Sequence, residues 1–156
     1  MSYMMAVADF REARRRASME QIVARLRGES VDLLSYEDVR KKLRATVSPG
    51  VELKEIPLDA IVGSVGRYSD FTRSFLPRHD SNQERWARVQ LAVNDPQGVP
   101  PIEVYEVGDV YFVRDGHHRV SVARQLGSTH IQAYVTRVKI RVALTTGVRV
   151  PDLWLK

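Results

Sequence analysis

The chain has 156 residues, 44% hydrophobic and 28% charged, a composition typical of one globular domain with an extension. It contains no cysteine, which excludes disulfides, thiolate zinc sites and a cysteine nucleophile. No run approaches the roughly 18 apolar residues of a membrane helix, and Met1–Phe10 is followed by arginines rather than by a secretory pattern, so we expect a cytoplasmic protein without membrane contact. The net charge of +5 favours an anionic ligand. The alternative is a general compositional bias toward arginine, which would produce the same net charge without any ligand.

A first helix is predicted within residues 4–46 and ends at Gly28, because glycine tolerates the left-handed conformation common at helix ends. Large apolar residues with helical spacing share one face of it: Met19, Ile22, Val23 and Leu26. That face has to be buried, either over the core or in a homodimer through the N-terminal helices. Arg11 and Arg14–Arg16 on the same helix form either a solvated face or a contact for a nucleic-acid backbone or acidic partner.

A second helix is predicted from Ser35, whose hydroxyl can cap the first turn, and it ends at Ser48-Pro49-Gly50. Its apolar stripe consists of Tyr36, Val39 and Leu43. We therefore interpret residues 1–50 as an N-terminal helical extension and residues 51–156 as the main domain.

The pattern after residue 50 alternates between strands and short helices. Strands are predicted at 51–56, 102–107, 110–113 and 131–138, and helical segments at 57–61, 82–93 and 118–126. Gly108-Asp109 joins two of the strands in a hairpin. This order predicts an α+β fold with a small mixed sheet and packed helices.

The segment Asp115-Gly116-His117-His118-Arg119 lies where a strand passes directly into a helix. The first N–H groups of a helix and its positive dipole end attract anions. Gly116 allows the backbone to approach a ligand closely, and Arg119 adds a permanent charge. The segment therefore predicts a phosphate site. The alternative is a plain helix cap, in which Asp115 bonds the first turn and both histidines face water.

The segment and its surroundings resemble the core of ParB/sulfiredoxin-like domains. The matching residues are Pro101–Val104, Gly108, Tyr111–Val113, Asp115–Arg119, Ala123, Gly127 and Ile131. Ile56–Ile61 resembles the first strand and turn of that family, and Arg67 lies where a basic phosphate-contacting residue is often found. The resemblance covers residues 51–139 and not the N-terminal helices.

The resemblance implies different activities in different members. Sulfiredoxins carry a catalytic cysteine at the position of His117, so sulfiredoxin activity is excluded in this chain. Chromosome-partitioning ParB proteins hold CTP with the motif and continue into a helix-turn-helix, which we do not expect after the final strand here. Related free-amino-acid kinases hold nucleotide phosphates beside an acidic base, and other relatives are called nucleases by similarity.

The leading hypothesis is a nucleotide- or phosphate-binding domain. Whether the domain also has weak nucleotide hydrolase or phosphotransferase activity stays open from the sequence. Gly116–Arg119 and Arg67 would bind the phosphates, and Asp59 or Asp70 would orient a nucleophile. CTP, ATP or ADP could bring Mg²⁺ with it. Because adjacent helical residues diverge by about 100°, the two histidines are not expected to ligate one ion, and no metal site of the protein itself is predicted.

Residues 63–82 form a long irregular segment and a second candidate site. Gly63–Arg67 could cradle a phosphate, and Tyr68, Phe71 or Phe75 could stack on a base. The alternative is a surface loop pinned to the core by its two phenylalanines.

Two other functions remain open from the sequence. A nuclease is disfavoured, because two-metal cleavage needs several converging carboxylates and the region around the motif has only Asp115. Binding to a nucleic-acid backbone without cleavage is not disfavoured by this argument. A non-catalytic regulatory or protein-interaction domain would be supported by an exposed apolar patch on the first two helices.

Overall fold

The structure is a computed structural model that describes residues 2–66 and 69–141, and these form an α+β fold, as predicted. Its helices are α1 (Tyr3–Arg27), α2 (Tyr36–Leu43), α3 (Gln83–Val93) and α4 (His117–Gln125). Its strands are β1 (Leu34–Ser35), β2 (Thr46–Val47), β3 (Glu52–Pro57), β4 (Ile61–Ser64), β5 (Ile102–Val107), β6 (Val110–Asp115) and β7 (His130–Lys139). Within the described ranges, no helix has the length and apolarity needed to cross a membrane.

The sheet is mixed, with the order β1-β4-β6-β5-β7. β1, β4 and β6 run parallel, while β5 and β6 form the antiparallel hairpin predicted at Gly108-Asp109. On its other side β5 pairs in parallel with β7. β7 then pairs antiparallel with β3 along its first half and with β2 at its end.

Both faces of the sheet are covered. Along β6, Tyr111 and Val113 point into one core cluster and Phe112 into another, as the period-two alternation of a strand requires. α2 covers the Phe112 face through the predicted stripe Tyr36, Val39 and Leu43, which is buried as expected. α4 covers the other face, and α3 and α1 pack outside it.

α1 is a helix with two apolar faces, and the protein buries the one with the smaller residues. The buried face consists of Ala6, Phe10, Ala13, Ala17 and Ala24. Alanine allows close approach to α3, so Phe10 contacts Trp86 edge-on at 5.7 Å between ring centroids. Of the two alternatives for the stripe at Met19, Ile22, Val23 and Leu26, packing over the core is wrong, because these side chains are exposed.

The first fifty residues contribute to the same clusters as the rest of the chain. α1 shares a core cluster with α3 and α4, and α2 shares one with β5, β6 and β7. β1 and β2 extend the sheet at two places. Whether residues 1–50 behave as a separate extension stays a prediction. The end of α1 agrees with the sequence at Gly28, which adopts the left-handed conformation with φ 68°. The predicted end of the second helix at Ser48-Pro49-Gly50 is wrong, because α2 ends at Leu43 and Thr46–Val47 forms β2.

The loop before α3 is pinned to the core by its two phenylalanines. Phe71 and Phe75 are fully buried, so the expectation that they stack on a base is wrong. Glu20 on α1 accepts a hydrogen bond from Thr72 Oγ1 at 3.0 Å, and Arg78 forms an ion pair with Asp32. The loop is therefore attached to the core by its phenylalanines and to α1 and the segment before β1 by its polar side chains. Tyr68 lies outside the described residues.

Three strands are joined by a group of charged side chains around Glu106 on β5. Lys54 Nζ lies 3.0 Å from one carboxylate oxygen and Arg137 Nε lies 3.3 Å from the other. Burial raises the pKa of Glu106, but hydrogen bonds from Lys54 and Tyr111 outweigh it and hold the pKa below the ordinary value of 4.5. The ionised form therefore stabilises the fold.

We expect this contribution to be complete above pH 4.5 and to be lost as the pH falls through the lowered pKa of the folded protein. Urea unfolding between about pH 6 and pH 3.5 should give a flatter dependence of stability on pH for Glu106→Gln than for the wild type. Glu103→Gln is the control, because Glu103 is exposed on the same strand. Equal slopes for the wild type and Glu106→Gln would contradict the expectation.

Candidate functional site: a cleft at the N-terminus of α4

The turn from β6 into α4 requires glycine at position 116. Gly116 has φ 108°, a conformation that side chains rarely adopt, and a Cβ there would lie 2.4 Å from Ile102 Cγ2. Gly116 is the N-cap residue of α4, and no side chain of the described residues caps this helix. The alternative in which Asp115 caps the helix is therefore wrong. Asp115 forms an ion pair with Arg119 instead.

Arg119 is held by three acceptors on its own chain. Its guanidinium donates to the carbonyls of Pro100 and Pro101, both at 2.8 Å, and to Asp115 Oδ2 at 2.9 Å. The side chain is only 15% exposed. Arg119 thus ties the start of α4 to the segment before β5, and Asp115 compensates its charge.

His117 and His118 are both buried, so the alternative in which both histidines face water is wrong. His117 Nε2 lies 2.6 Å from Ser64 Oγ at the end of β4, a hydrogen-bond distance. The His117 ring stacks on Phe71 with 6.1 Å between centroids, and the His118 ring meets Phe71 edge-on at 5.2 Å. Phe71 and Ser64 therefore fix the histidine rings at the base of the helix start.

A cleft of about 120 Å³ opens at this place, between α3 and the first turn of α4. It is lined by Arg85, Val89, Asp115, Gly116, His117, His118 and Arg119. Arg85 is exposed, and it forms no hydrogen bond or ion pair with any residue of the ranges that the structure describes. The cleft therefore joins the predicted segment 115–119 to a cation that the sequence analysis missed.

The other predicted site residues do not line this cleft. Asp59 is exposed in the turn Leu58–Ala60, and the main-chain carbonyl of Asp70 accepts the N–H of Arg78 at 3.2 Å. Their catalytic role stays a prediction. Arg67 lies outside the described residues.

Asp59 instead lies near a structural arginine on α4. Burial lowers the pKa of Arg124, and the charges of Asp59 and Glu20 partly oppose this effect. Arg124 donates to the carbonyl of Leu58 at 2.6 Å. This contact holds the C-terminal half of α4 on the turn after β3.

The lining of the cleft does not fit a magnesium ion held by the protein alone. Residues 2–66 and 69–141 contain no group of three or more His, Asp or Glu side chains that could hold a metal ion. Within those ranges Asp115 is the carboxylate that lines the cleft, and it is paired with Arg119. A magnesium ion would therefore depend on ligand phosphates and water for its coordination, and this stays a prediction.

A larger groove of about 500 Å³ lies beside the arginine cluster of α1, and two of the arginines that line it are paired with acidic residues. Arg14 pairs with Asp80 at 3.0 Å and Arg15 pairs with Glu12 at 2.7 Å. Arg16 donates to Gln125 at 3.0 Å. Arg11 also lines the groove, is exposed, and forms no hydrogen bond or ion pair with a described residue. We place the candidate ligand site in the smaller cleft because that cleft contains the glycine-containing helix start of the predicted segment 115–119.

No protein-family model and no curated protein matches the chain. Among solved structures, the chain is similar to the crystal structure of sulfiredoxin from Arabidopsis thaliana, with a TM-score of 0.41 and 23% sequence identity. The match covers 54% of this chain and 83% of the sulfiredoxin chain. Membership of the ParB/sulfiredoxin-like family stays a prediction, and the likeness assigns no ligand to the cleft.

Proposed function

We propose that the cleft between α3 and α4 binds a phosphate group, as part of a nucleotide such as CTP, ATP or ADP or of a related phosphate ligand. The observation that carries the proposal is Arg85, a cation without a protein partner among the described residues, on the same cleft as a glycine-containing helix start. Ligand pockets for whole small molecules measure roughly 300–1,000 Å³. The cleft of about 120 Å³ is therefore suited to one phosphate group, with the rest of the ligand outside.

The helix start supplies the backbone part of the site. The first N–H groups of α4 have no acceptor within the helix, and the positive end of its dipole lies at the cleft. Gly116 has no side chain to cover these groups. A phosphate at this position would accept from the backbone, in the manner common at helix N-termini.

The two arginines of the cleft have different roles in this proposal. Arg119 is a positioning residue, because its guanidinium is held by two carbonyls and by Asp115. Arg85 supplies the charge that is not compensated within the described protein, and its planar guanidinium suits phosphate oxygens.

The proposal is one of binding and does not include turnover. Hydrolysis or phosphoryl transfer would need a group that orients the attacking oxygen. The acids predicted for this role, Asp59 and Asp70, do not line the cleft. Asp115 lines it, but its carboxylate is paired with Arg119.

Replacing Arg85 by alanine should weaken binding of the phosphate ligand by about 10- to 100-fold, because one charge-assisted interaction is worth about 1.5–3 kcal/mol. Arg88→Ala is the matched control, since Arg88 lies on the same helix but pairs with Glu84 outside the cleft. It should change the affinity less than about twofold. Isothermal titration calorimetry with pyrophosphate, CTP, ATP and ADP, each with and without Mg²⁺, makes the comparison.

The two variants also separate a specific site from general attraction by a basic protein. Equal losses in Arg85→Ala and Arg88→Ala would mean that only the net charge matters. Absence of binding by the wild type would refute the proposal. Arg119→Ala is a poorer test, because it also releases the segment at Pro100 and Pro101.

A further inference from the structure

The exposed face of α1 is an apolar surface that the protomer leaves uncovered. Leu26 is 83% exposed, and Met19 and Ile22 are each more than half exposed. Met4 and Met5 are exposed on the first turns of the helix. The opposite face of α1 already serves the core through its alanines, so the exposed side chains are not needed to attach the helix. Such a surface is typical of an interface.

The exposed face follows a heptad repeat along almost the whole helix. Its positions alternate by three and four residues: Met5, Ala8, Glu12, Arg15, Met19, Ile22 and Leu26. These are the a and d positions of a coiled coil. The apolar positions lie toward both ends, and a Glu–Arg pair occupies the middle. Glu12 and Arg15 are exposed and form an ion pair at 2.7 Å.

We propose that α1 pairs with α1 of a second copy of the chain in an antiparallel, two-fold symmetric coiled coil. In the register that the repeat favours, Ile22 packs against the partner's Met5 and Met19 against the partner's Ala8. Glu12 then lies opposite the partner's Arg15. The positions from Met5 to Ile22 each meet a position of the other helix, so an a position lies opposite a d position there, and Leu26 lies beyond the start of the partner's α1.

The charges select this orientation. A parallel pair would place Glu12 opposite the partner's Glu12 and Arg15 opposite the partner's Arg15, and both contacts are repulsive. The antiparallel pair places two opposite charges from each helix in one central group. A polar layer of this kind fixes orientation and register at some cost in stability.

A second copy fits this surface better than other occupants. A two-fold interface needs a surface that is complementary to itself, and the helix has that property around a point between Ala13 and Arg14. An anionic membrane would attract the arginines, but Arg15 in this face is already paired with Glu12. The proposed interface does not involve the phosphate cleft.

Sedimentation-velocity centrifugation of the whole chain tests the association. The wild type should sediment as a dimer at micromolar concentration. Ile22→Asp should raise the dimer dissociation constant by at least about 30-fold, since the apolar contact with the partner's Met5 is lost twice per dimer. At protein concentrations at which the wild type is also monomeric, the thermal midpoints of the two proteins should be close, because residue 22 is exposed in the protomer. Val51→Asp, at another exposed apolar residue, should leave the dimer unchanged.

Cysteine cross-linking tests the register, since the chain has no cysteine of its own. A mixture of Ala8→Cys and Met19→Cys protomers should form a disulfide-linked heterodimer on oxidation, whereas each variant alone should not. Within one helix the two positions are about 16 Å apart, too far for a disulfide. Cross-linking of each variant with itself, a monomeric wild type, or a monomer that binds anionic vesicles through α1 would each overturn the proposal.

Discussion

Replacing Gly116 by alanine is expected to lower the free energy of unfolding by about 2–5 kcal/mol and to abolish phosphate binding. The backbone at Gly116 has φ 108°, which costs an alanine free energy in any surroundings. The new methyl group would also lie 2.4 Å from Ile102 Cγ2 and 3.2 Å from Arg119 Cζ. Relief of these contacts would move the start of α4 away from β5, and the cleft with it.

Gly127→Ala is the matched control for this prediction. Gly127 follows α4 with φ 81°, but a Cβ there would meet nothing within 4 Å. It should therefore cost only the backbone term of about 1–2 kcal/mol and leave phosphate binding intact. Urea denaturation and calorimetric titration of both variants separate the two effects. If both variants lost the same stability and kept the same affinity, the close packing at Gly116 would be refuted.

Replacing Trp86 by alanine is expected to cost about 3–5 kcal/mol, the range for removal of a large aromatic side chain from a core. Trp86 is fully buried, contacts Phe10 of α1, and donates from Nε1 to Ser121 Oγ of α4 at 2.9 Å. Its loss would separate three helices and leave the Ser121 hydroxyl buried without its donor. Urea unfolding at neutral pH measures the change.

Trp86→Phe and Ser121→Ala keep this prediction testable if the alanine variant does not fold. Trp86→Phe retains most of the apolar contact and removes the N–H donor, so it should cost less than Trp86→Ala. With Ser121→Ala it forms a double-mutant cycle, in which the coupling should be about 1 kcal/mol. A Trp86→Ala variant as stable as the wild type would contradict the described packing of α1, α3 and α4.

The elements of the second half were predictable because their local patterns agree with their tertiary roles. The hairpin at Gly108-Asp109 has strong turn residues between two apolar strands, and both strands are buried as expected. The helix around Trp86 and the helix after Gly116 also carry regular apolar spacing. In these cases the spacing of the apolar residues is enough to predict whether the segment is a strand or a helix, without knowledge of tertiary contacts.

The buried face of α1 was not predictable by the same argument. Its buried positions are mainly alanines, which contribute little to an apolar pattern, whereas Met19, Ile22 and Leu26 dominate that pattern and are exposed. Which face of α1 is buried depends on how closely α1 can approach α3. This distance is set by the packing of the whole protein and not by the sequence of α1 alone.

The candidate site was predictable only in its contiguous part. The segment 115–119 was found because glycine, charge and helix start are adjacent in the sequence. Arg85 and Ser64 reach the same place from other elements, 30 or more residues away in the chain. No local signal marks them. The positioning role of Arg119 could not be predicted either. Its acceptors at Pro100 and Pro101 are main-chain carbonyls, which every residue has and which therefore leave no signal in the sequence.

The position of β7 has a consequence for biosynthesis. β7 is the last described strand, yet β2, β3 and β5 all pair with it, for example Glu52 with Val135. On the ribosome, β3 is therefore made more than 70 residues before the strand that joins it to β5, and its unpaired edge stays open to other chains until then. The sheet can close only after residue 139 has left the exit tunnel. We therefore expect the incomplete chain to aggregate more readily than the complete one.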